Sequence, residues 1–290
     1  MLFITLDLCY CYVIRHSQHA QFFETQCGRL TLPVLLVSCH SLSDSVICSV
    51  CTLDYFKLSA DVFHVIPSTH SAVTGIAVLK DRIYVSRSGT PQIAVYCPET
   101  FQLKVLTCGD MRHHDCAQIR RIAACDANNC LYVSEHSTHY INRVDGESYA
   151  SSRWFDGGNP QGLSITSSHN VLAALQDDNS LCEYSTSGEV IRKISLQPAG
   201  ITRPVYAVQL TEQHYAVAHN GPNHKFSIVN SDGQLDRSFG GDLNAPRGIA
   251  VDRRGRLMVA DEYNHRILVI NPDTLSAYPL ALPGSVQSAL

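Results

Sequence analysis

A repeat of about forty residues constrains this chain more than any other feature. From Thr74 onward five segments align on one hydrophobic skeleton: residues 74–97, 120–144, 161–185, 205–229 and 247–271. Their anchor positions, Gly75, Arg121, Gly162, Tyr206 and Gly248, follow one another at 46, 41, 44 and 42 residues. A period near 40 to 45 is that of a four-stranded propeller blade. The last segment shows how one unit is written. GIAVD is a short apolar run, DRRG a polar turn, RLMVAD a second run, EYNH a polar loop, RILVIN a third run, and NPDT turns the chain into SAYPLAL. Runs of five or six β-formers punctuated by Gly, Pro, Asn and Asp predict strands and turns, and no stretch holds a helical period. Fourth strands are expected at 103–107, 152–156, 189–196 and 235–239. The fold class that follows is all-β, a β-propeller of four-stranded blades with five recognisable units.

Composition narrows the function classes. The chain has 290 residues, with 22 Lys and Arg against 26 Asp and Glu, a formal charge of -4. That balance argues against a protein held to DNA or to a membrane surface by bulk positive charge. No stretch approaches the roughly 18 to 20 apolar residues of a membrane-spanning helix. MLFITLDLCYCYVI at the start lacks the basic residues and small-residue cleavage site of a secretory signal. Twelve cysteines are many, but several sit in strand-like runs, as Cys97, Cys125 and Cys182 do. Buried thiols of this kind behave as small hydrophobes, which points to reduced cysteines and a cytoplasmic setting.

The residues of the last unit carry a family resemblance. Pro246, Gly248, Asp252, Gly255, Asp261, Asn264 and Arg266 stand in APRGIAVDRRGRLMVADEYNHRILVIN as they do in an NHL repeat, and the stretch resembles that family strongly over 243–275. The first unit is similar but weaker, and the middle three keep only the skeleton. The resemblance implies a propeller, usually of six blades, and a relation to the propellers of TRIM-NHL-type proteins, where it is the substrate-recognition end of a ubiquitin ligase. The signature residues Gly248, Asp252, Asp261, Asn264 and Arg266 are expected to serve the fold. Gly248 would allow a positive φ or a close approach, the aspartates would accept backbone N–H bonds at strand ends, and Arg266 would pair with such a carboxylate.

Residues 52–290 are assigned to the propeller, with 52–67 expected to supply an edge strand against the C-terminal blade. Residues 1–51 are unassigned, an upstream fragment or an unstructured tail. Cys48 and Cys51 have the spacing of a zinc ligand pair, with Cys39 and His40 before them and His64 and His70 after. A structural site needs four ligands in tetrahedral order, and twelve residues separate Cys51 from His64. Ordinary thiols are the expectation, with no metal and no cofactor.

The binding face is sought in the loops between the second and third strands of each unit and in the connections between units. A rigid scaffold concentrates recognition in such loops. They gather Arg87, Arg112, His113, His114, His136, His139, Arg203, His219, His224, Arg247, Tyr263 and His265. Seven of the 14 histidines are among them. Acidic residues are interspersed, and residues 74–290 carry 19 basic and 21 acidic side chains. Non-catalytic recognition of a protein or peptide is therefore the leading expectation. RNA binding on the same face is the alternative, because some NHL propellers do this. A metal-dependent lyase is the third class, since one peptide-amidating lyase uses an NHL-like propeller with histidine-bound zinc. G-x-S-x-G, H-E-x-x-H and P-loop motifs are absent from the sequence.

Overall fold

A computed structural model describes residues 2–3, 11–15, 34–36, 46–54, 59–68, 73–87, 89–97, 102–107, 119–135, 139–221, 223–252 and 254–280. The chain divides into two compact units, residues 74–249 and residues 1–73 with 250–290. Twenty-five strands and two short 3-10 turns, Gln197–Ala199 and Glu262–Asn264, make up its regular structure among the described residues.

The N-terminal strands are β1 (Leu2–Phe3), β2 (Cys11–Arg15), β3 (Val34–Leu36), β4 (Val46–Asp54) and β5 (Ser59–Ser68). They form one five-stranded sheet in the order β1-β3-β2-β4-β5. Residues 52–67 therefore do not supply an edge strand to the C-terminal blade. They belong to β4 and β5, which pair antiparallel with each other from Val46↔Ser68 to Asp54↔Ser59. The physical reason is proximity in sequence: a hairpin partner four residues away closes at low entropic cost, whereas the last blade is some two hundred residues distant.

Five four-stranded antiparallel sheets follow, the blades of a β-propeller. Blade one is β6 (Val73–Leu79), β7 (Arg82–Arg87), β8 (Gln92–Tyr96) and β9 (Leu103–Thr107). Blade two is β10 (Ile119–Cys125), β11 (Cys130–Glu135), β12 (Tyr140–Asp145) and β13 (Ser151–Asp156). Blade three is β14 (Pro160–Ile165), β15 (Val171–Leu175), β16 (Ser180–Tyr184) and β17 (Val190–Ser195). Blade four is β18 (Thr202–Thr211), β19 (His214–Gly221), β20 (Lys225–Asn230) and β21 (Leu235–Phe239). Blade five is β22 (Pro246–Val251), β23 (Leu257–Asp261), β24 (Arg266–Ile270) and β25 (Ala277–Pro279). Every anchor position of the repeat falls in the first strand of its blade.

Burial explains the sequence texture. β11, β15 and β16 are buried at every residue, whereas the fourth strands β13, β17 and β21 are largely exposed. A sheet covered on both faces needs near-continuous apolar runs rather than alternation. Within residues 74–249 the covering comes from the neighbouring blade. Leu79, Tyr84 and Val95 of blade one pack with Ile122, Leu131 and Val133 of blade two. Tyr132 and Cys130 of blade two pack with Leu163, Cys182 and Tyr184 of blade three, and Leu172 and Leu181 of blade three with Tyr215 and Val217 of blade four. Each such side chain contributes about 1.5–3 kcal/mol by leaving water. Cys125, Cys130 and Cys182 are buried without a disulfide, and burial pushes the Cys130 and Cys182 thiols up from their ordinary pKa.

The first strands of neighbouring blades lie against one another in this unit. A Cβ on Gly162 would sit 2.5 Å from the Val205 carbonyl oxygen and 2.8 Å from the Tyr206 Cα. The glycine at the anchor thus permits close approach of two backbones, and it needs no positive φ to do so. Gly162→Ala is expected to cost about 1–3 kcal/mol by overpacking, read as a lowered urea midpoint. Gly241→Ala, whose Cβ would meet nothing within 4 Å, should leave the midpoint in place, and equal midpoints for the two variants would contradict this account.

Candidate functional site

Strand direction alternates within each blade. The loop between second and third strands and the connection from the fourth strand to the next blade therefore leave from the same end. Hydrogen bonds tie the two sets together in residues 74–249. Gly157 N–H donates to the His139 carbonyl at 3.1 Å, and Leu196 N–H to the Asn179 carbonyl at 2.9 Å. Asn159 Nδ2 donates to Asp177 Oδ1 at 3.0 Å, Arg203 N–H to Asn179 Oδ1 at 2.8 Å, and Ala245 N–H to His224 Nδ1 at 3.3 Å. His139, Arg203 and His224 hold positive φ angles of 59°, 53° and 45°. At these described residues the backbone is held by hydrogen bonds between one set of segments and the other.

The candidate residues separate on burial. His139 and Arg203 are exposed, and Arg87, His224 and Arg247 are half-buried. In blade five, Tyr263 is 54% exposed and His265 is exposed in a left-handed conformation after the Glu262–Asn264 turn. Arg112, His113, His114 and His136 lie outside the described residues, as do Cys39, His40 and His70. Cys48 and Cys51 lie in β4 and His64 in β5.

His219 is a correction to its expected role as a surface contact. It is 2% exposed. Its Nδ1 donates to the Gly221 carbonyl at 2.8 Å, and its Nε2 lies 2.9 Å from Ser227 Oγ. A carbonyl only accepts, so a proton sits on Nδ1, and Nε2 shares its hydrogen bond with the Ser227 hydroxyl. The ring joins β19 to β20 inside the blade. A histidine can fill this place because a neutral imidazole offers one donor and one acceptor, which the hydrophobic pattern alone does not disclose.

The repeat signature in blade five is a hydrogen-bonded scaffold. Asp261 is fully buried, and its Oδ2 accepts from Asn264 Nδ2 at 2.8 Å and Arg266 Nε at 2.7 Å. Asp252 accepts from the N–H groups of Arg254 and Arg256 at 2.8 and 2.9 Å, and Arg256 Nη2 is 2.6 Å from its Oδ2. Arg266 thus finds the carboxylate that its spacing predicts.

Two polar side chains near the loop end were less visible in sequence. Arg121 and Tyr206 stand at the anchor position in blades two and four, where blades one, three and five carry glycine. A register shift precedes the anchor in β10, β14 and β18, between Ile119 and Arg121, Pro160 and Gly162, and Pro204 and Tyr206. Bulges of this kind re-aim a side chain near the end of a strand. Arg121 is 6% exposed and its Nη1 donates to the Thr74 carbonyl at 2.7 Å. Burial pushes the Tyr206 hydroxyl up to about 12, with the Arg121 charge pulling the other way. The signal that could have singled them out was their departure from the glycine of the repeat.

At the loop end each of blades one to four buries a side-chain polar atom without a hydrogen-bond partner among the described residues. They are Arg87 Nη1, Ser134 Oγ, Ser180 Oγ and Asn220 Oδ1. The other five such atoms, on Asn129, Tyr132, Ser151, Glu183 and Tyr215, lie mid-strand or toward the opposite end. Buried polar groups are almost always satisfied, by protein or by ordered water. Among the described residues no three His, Cys, Asp or Glu side chains gather in a metal-holding group, and no helix is long and apolar enough to cross a membrane.

Burial lowers the His219 pKa from the ordinary 6.5. The folded state then binds fewer protons than the unfolded state as pH falls through 6.5, so stability drops on acidification. The expected outcome is an imidazole resonance for His219 that titrates below those of exposed histidines in NMR, with a melting temperature that declines from pH 7 to pH 5. A His219 titration at or above 6.5 would contradict the neutral, buried assignment.

Residues 243–270 match the family model described as the NHL repeat. No curated protein matches the chain in sequence. Among solved structures, a chain of a nidogen/laminin complex aligns over 84% of this chain and 93% of its own, at 13% identity and a TM-score of 0.66. A streptogramin B lyase aligns over 73% of this chain and 69% of its own, at 14% identity and a TM-score of 0.58. A catalytically inactive virginiamycin B lyase from Staphylococcus aureus with quinupristin aligns over 73% and 71%, at 12% identity and 0.57. Identities this low carry the fold alone. The matched repeat in blade five and the five four-stranded blades together support an NHL-repeat β-propeller.

Proposed function

We propose that this protein is a non-catalytic recognition scaffold that binds a protein or peptide through the loop end of its blades. The observation that carries the proposal is the row of buried polar atoms there, one from each of blades one to four. Water satisfies such atoms in the free protein, and a partner's donors and acceptors replace it on binding. The surrounding loops support a protein partner over RNA. Arg203 and Lys225 are interspersed with the exposed Asp177, Asp178 and Asp242, and Lys193 Nζ is 2.7 Å from Asp178 Oδ2. Phosphate backbones call for one sign of charge along a groove, whereas a mixed face suits the paired charges of a protein surface. One structural neighbour comes from a protein–protein complex, nidogen with laminin, which is compatible with this use of the fold. In its narrowest form the scaffold is the substrate-recognition module of a ubiquitin-ligase-type protein, on the strength of the repeat motif in blade five.

The test is a pull-down from lysate with the full chain, wild type against Arg203→Glu combined with His139→Glu, both exposed positions. Matched melting curves show that both forms fold. The expected result is a protein that survives RNase treatment and whose recovery falls about tenfold in the variant, as loss of a well-made charged contact predicts. Recovery of RNA in place of protein would overturn the proposal, as would equal recovery by both forms.

A further inference from the structure

At the opposite end of the sheets, blades one and two border a cleft of about 840 Å³, within the range of small-ligand pockets. Its chemistry is organised around Tyr149. Arg82 Nη1 donates to the Tyr149 hydroxyl, and Lys104 Nζ sits 4.5 Å from the centre of the Tyr149 ring. Tyr84 is 1% exposed, with Tyr149 as its electrostatic neighbour. Burial and this neighbour push the Tyr84 hydroxyl up to about 12, so it stays protonated. The accessible apolar surface comes from Leu103, 57% exposed and followed on β9 by Val105 at 49%, with Leu79 and Val95 of the buried core behind it.

The charges do not cancel inside this cleft. Lys80 pairs with Glu147 at 3.7 Å, with both side chains well exposed. Arg82 and Lys104 have no carboxylate at ion-pair distance among the described residues; a hydroxyl and a ring face serve them instead. Three cations, Lys80, Arg82 and Lys104, against two acids, Asp81 and Glu147, leave one net positive charge among the lining residues. That surplus matches a single carboxylate, and the two acids oppose a polyanion. A guanidinium and an ammonium lining one cleft and both placed on Tyr149 bind a carboxylate more strongly than neutral donors do, and the apolar side chain of Leu103 in the same lining suits a hydrocarbon body.

We propose that the cleft between the turns of blades one and two binds an organic carboxylate with an apolar body, held at the acid by Arg82 and Lys104 and along its body by Leu103. The carboxylate is that of a small acid or of an acidic side chain in a peptide.

The experiment titrates the full chain, followed by calorimetry, with two probes. One is hexanoate, and the other is a capped hexapeptide of alternating leucine and glutamate. Binding of hexanoate identifies a small-acid site, and binding of the peptide alone identifies a peptide site. In either case Arg82→Gln with Lys104→Gln should weaken binding about tenfold or more. Tyr149→Phe, which keeps the ring and loses the hydroxyl, should weaken it less. The glutamine version of the peptide, or hexanol in place of hexanoate, should not bind. Matched melting curves establish that the variants fold, because Arg82 and Lys104 are exposed. Equal affinity in the double variant, or no heat with either probe at millimolar concentration, would overturn the proposal. Every variant in this test leaves the loop end unaltered, so failure of the probe titration and failure of the loop-end pull-down are separate outcomes.

Discussion

Face-to-face burial between neighbouring blades is the constraint on which residues 74–249 depend. A four-stranded sheet of this size has two apolar faces and cannot cover either by itself. Tyr84, Tyr132, Tyr184 and Tyr215, one from each of blades one to four, are fully buried, and each belongs to a cluster shared with an adjoining blade. Stacked units of this kind gain stability from their interfaces, so the repeat is a packing rule before it is anything else. Trp154 shows the limit of that rule. It lies on a fourth strand, yet it packs 4.7 Å from Tyr132 and 6.0 Å from Tyr184 and donates to the Thr186 carbonyl at 2.9 Å. The outer strand is thereby drawn into the seam between blades two and three.

Close packing on the faces leaves chemistry to the ends of the strands. At one end, loops and blade connections hydrogen-bond to each other and hold polar atoms that want partners. At the other, the turns of blades one and two leave a cleft in which two cations surround a tyrosine. The two ends differ in what the strands bring to them. The loop end receives the bulged starts of the first strands β10, β14 and β18, whereas the turn end carries Asp-capped turns such as Asp145 with Glu147 and Ser148.

Much of the fold was legible in advance because strand length, apolar runs and turn residues are local properties. The fourth strands expected at 103–107 and 235–239 are β9 and β21, and the Arg266–Asp261 pair lies where the motif spacing places it. The candidate face was legible only as a set of loops. His219 shares the polar company of its loop neighbours in sequence, but it is sealed inside a blade, bonded to Gly221 on its own strand and to Ser227, a partner it meets only once β19 and β20 pair. The strand at 59–68 went to β4 instead of to a distant blade, because local hairpin closure outweighs a long-range pairing that sequence pattern alone cannot rank.

The sequence by itself determined the period, the all-β class and the number of recognisable units. These follow from nearest-neighbour and turn chemistry. Only the tertiary structure decided which polar side chains are buried, since burial depends on the face a neighbouring blade covers. It alone placed Arg121 near Tyr206, from blades eighty-five residues apart in sequence. It alone gathered Arg82, Lys104 and Tyr149 from two blades around one cleft, because that assembly is a property of how sheets stack and not of any segment within them.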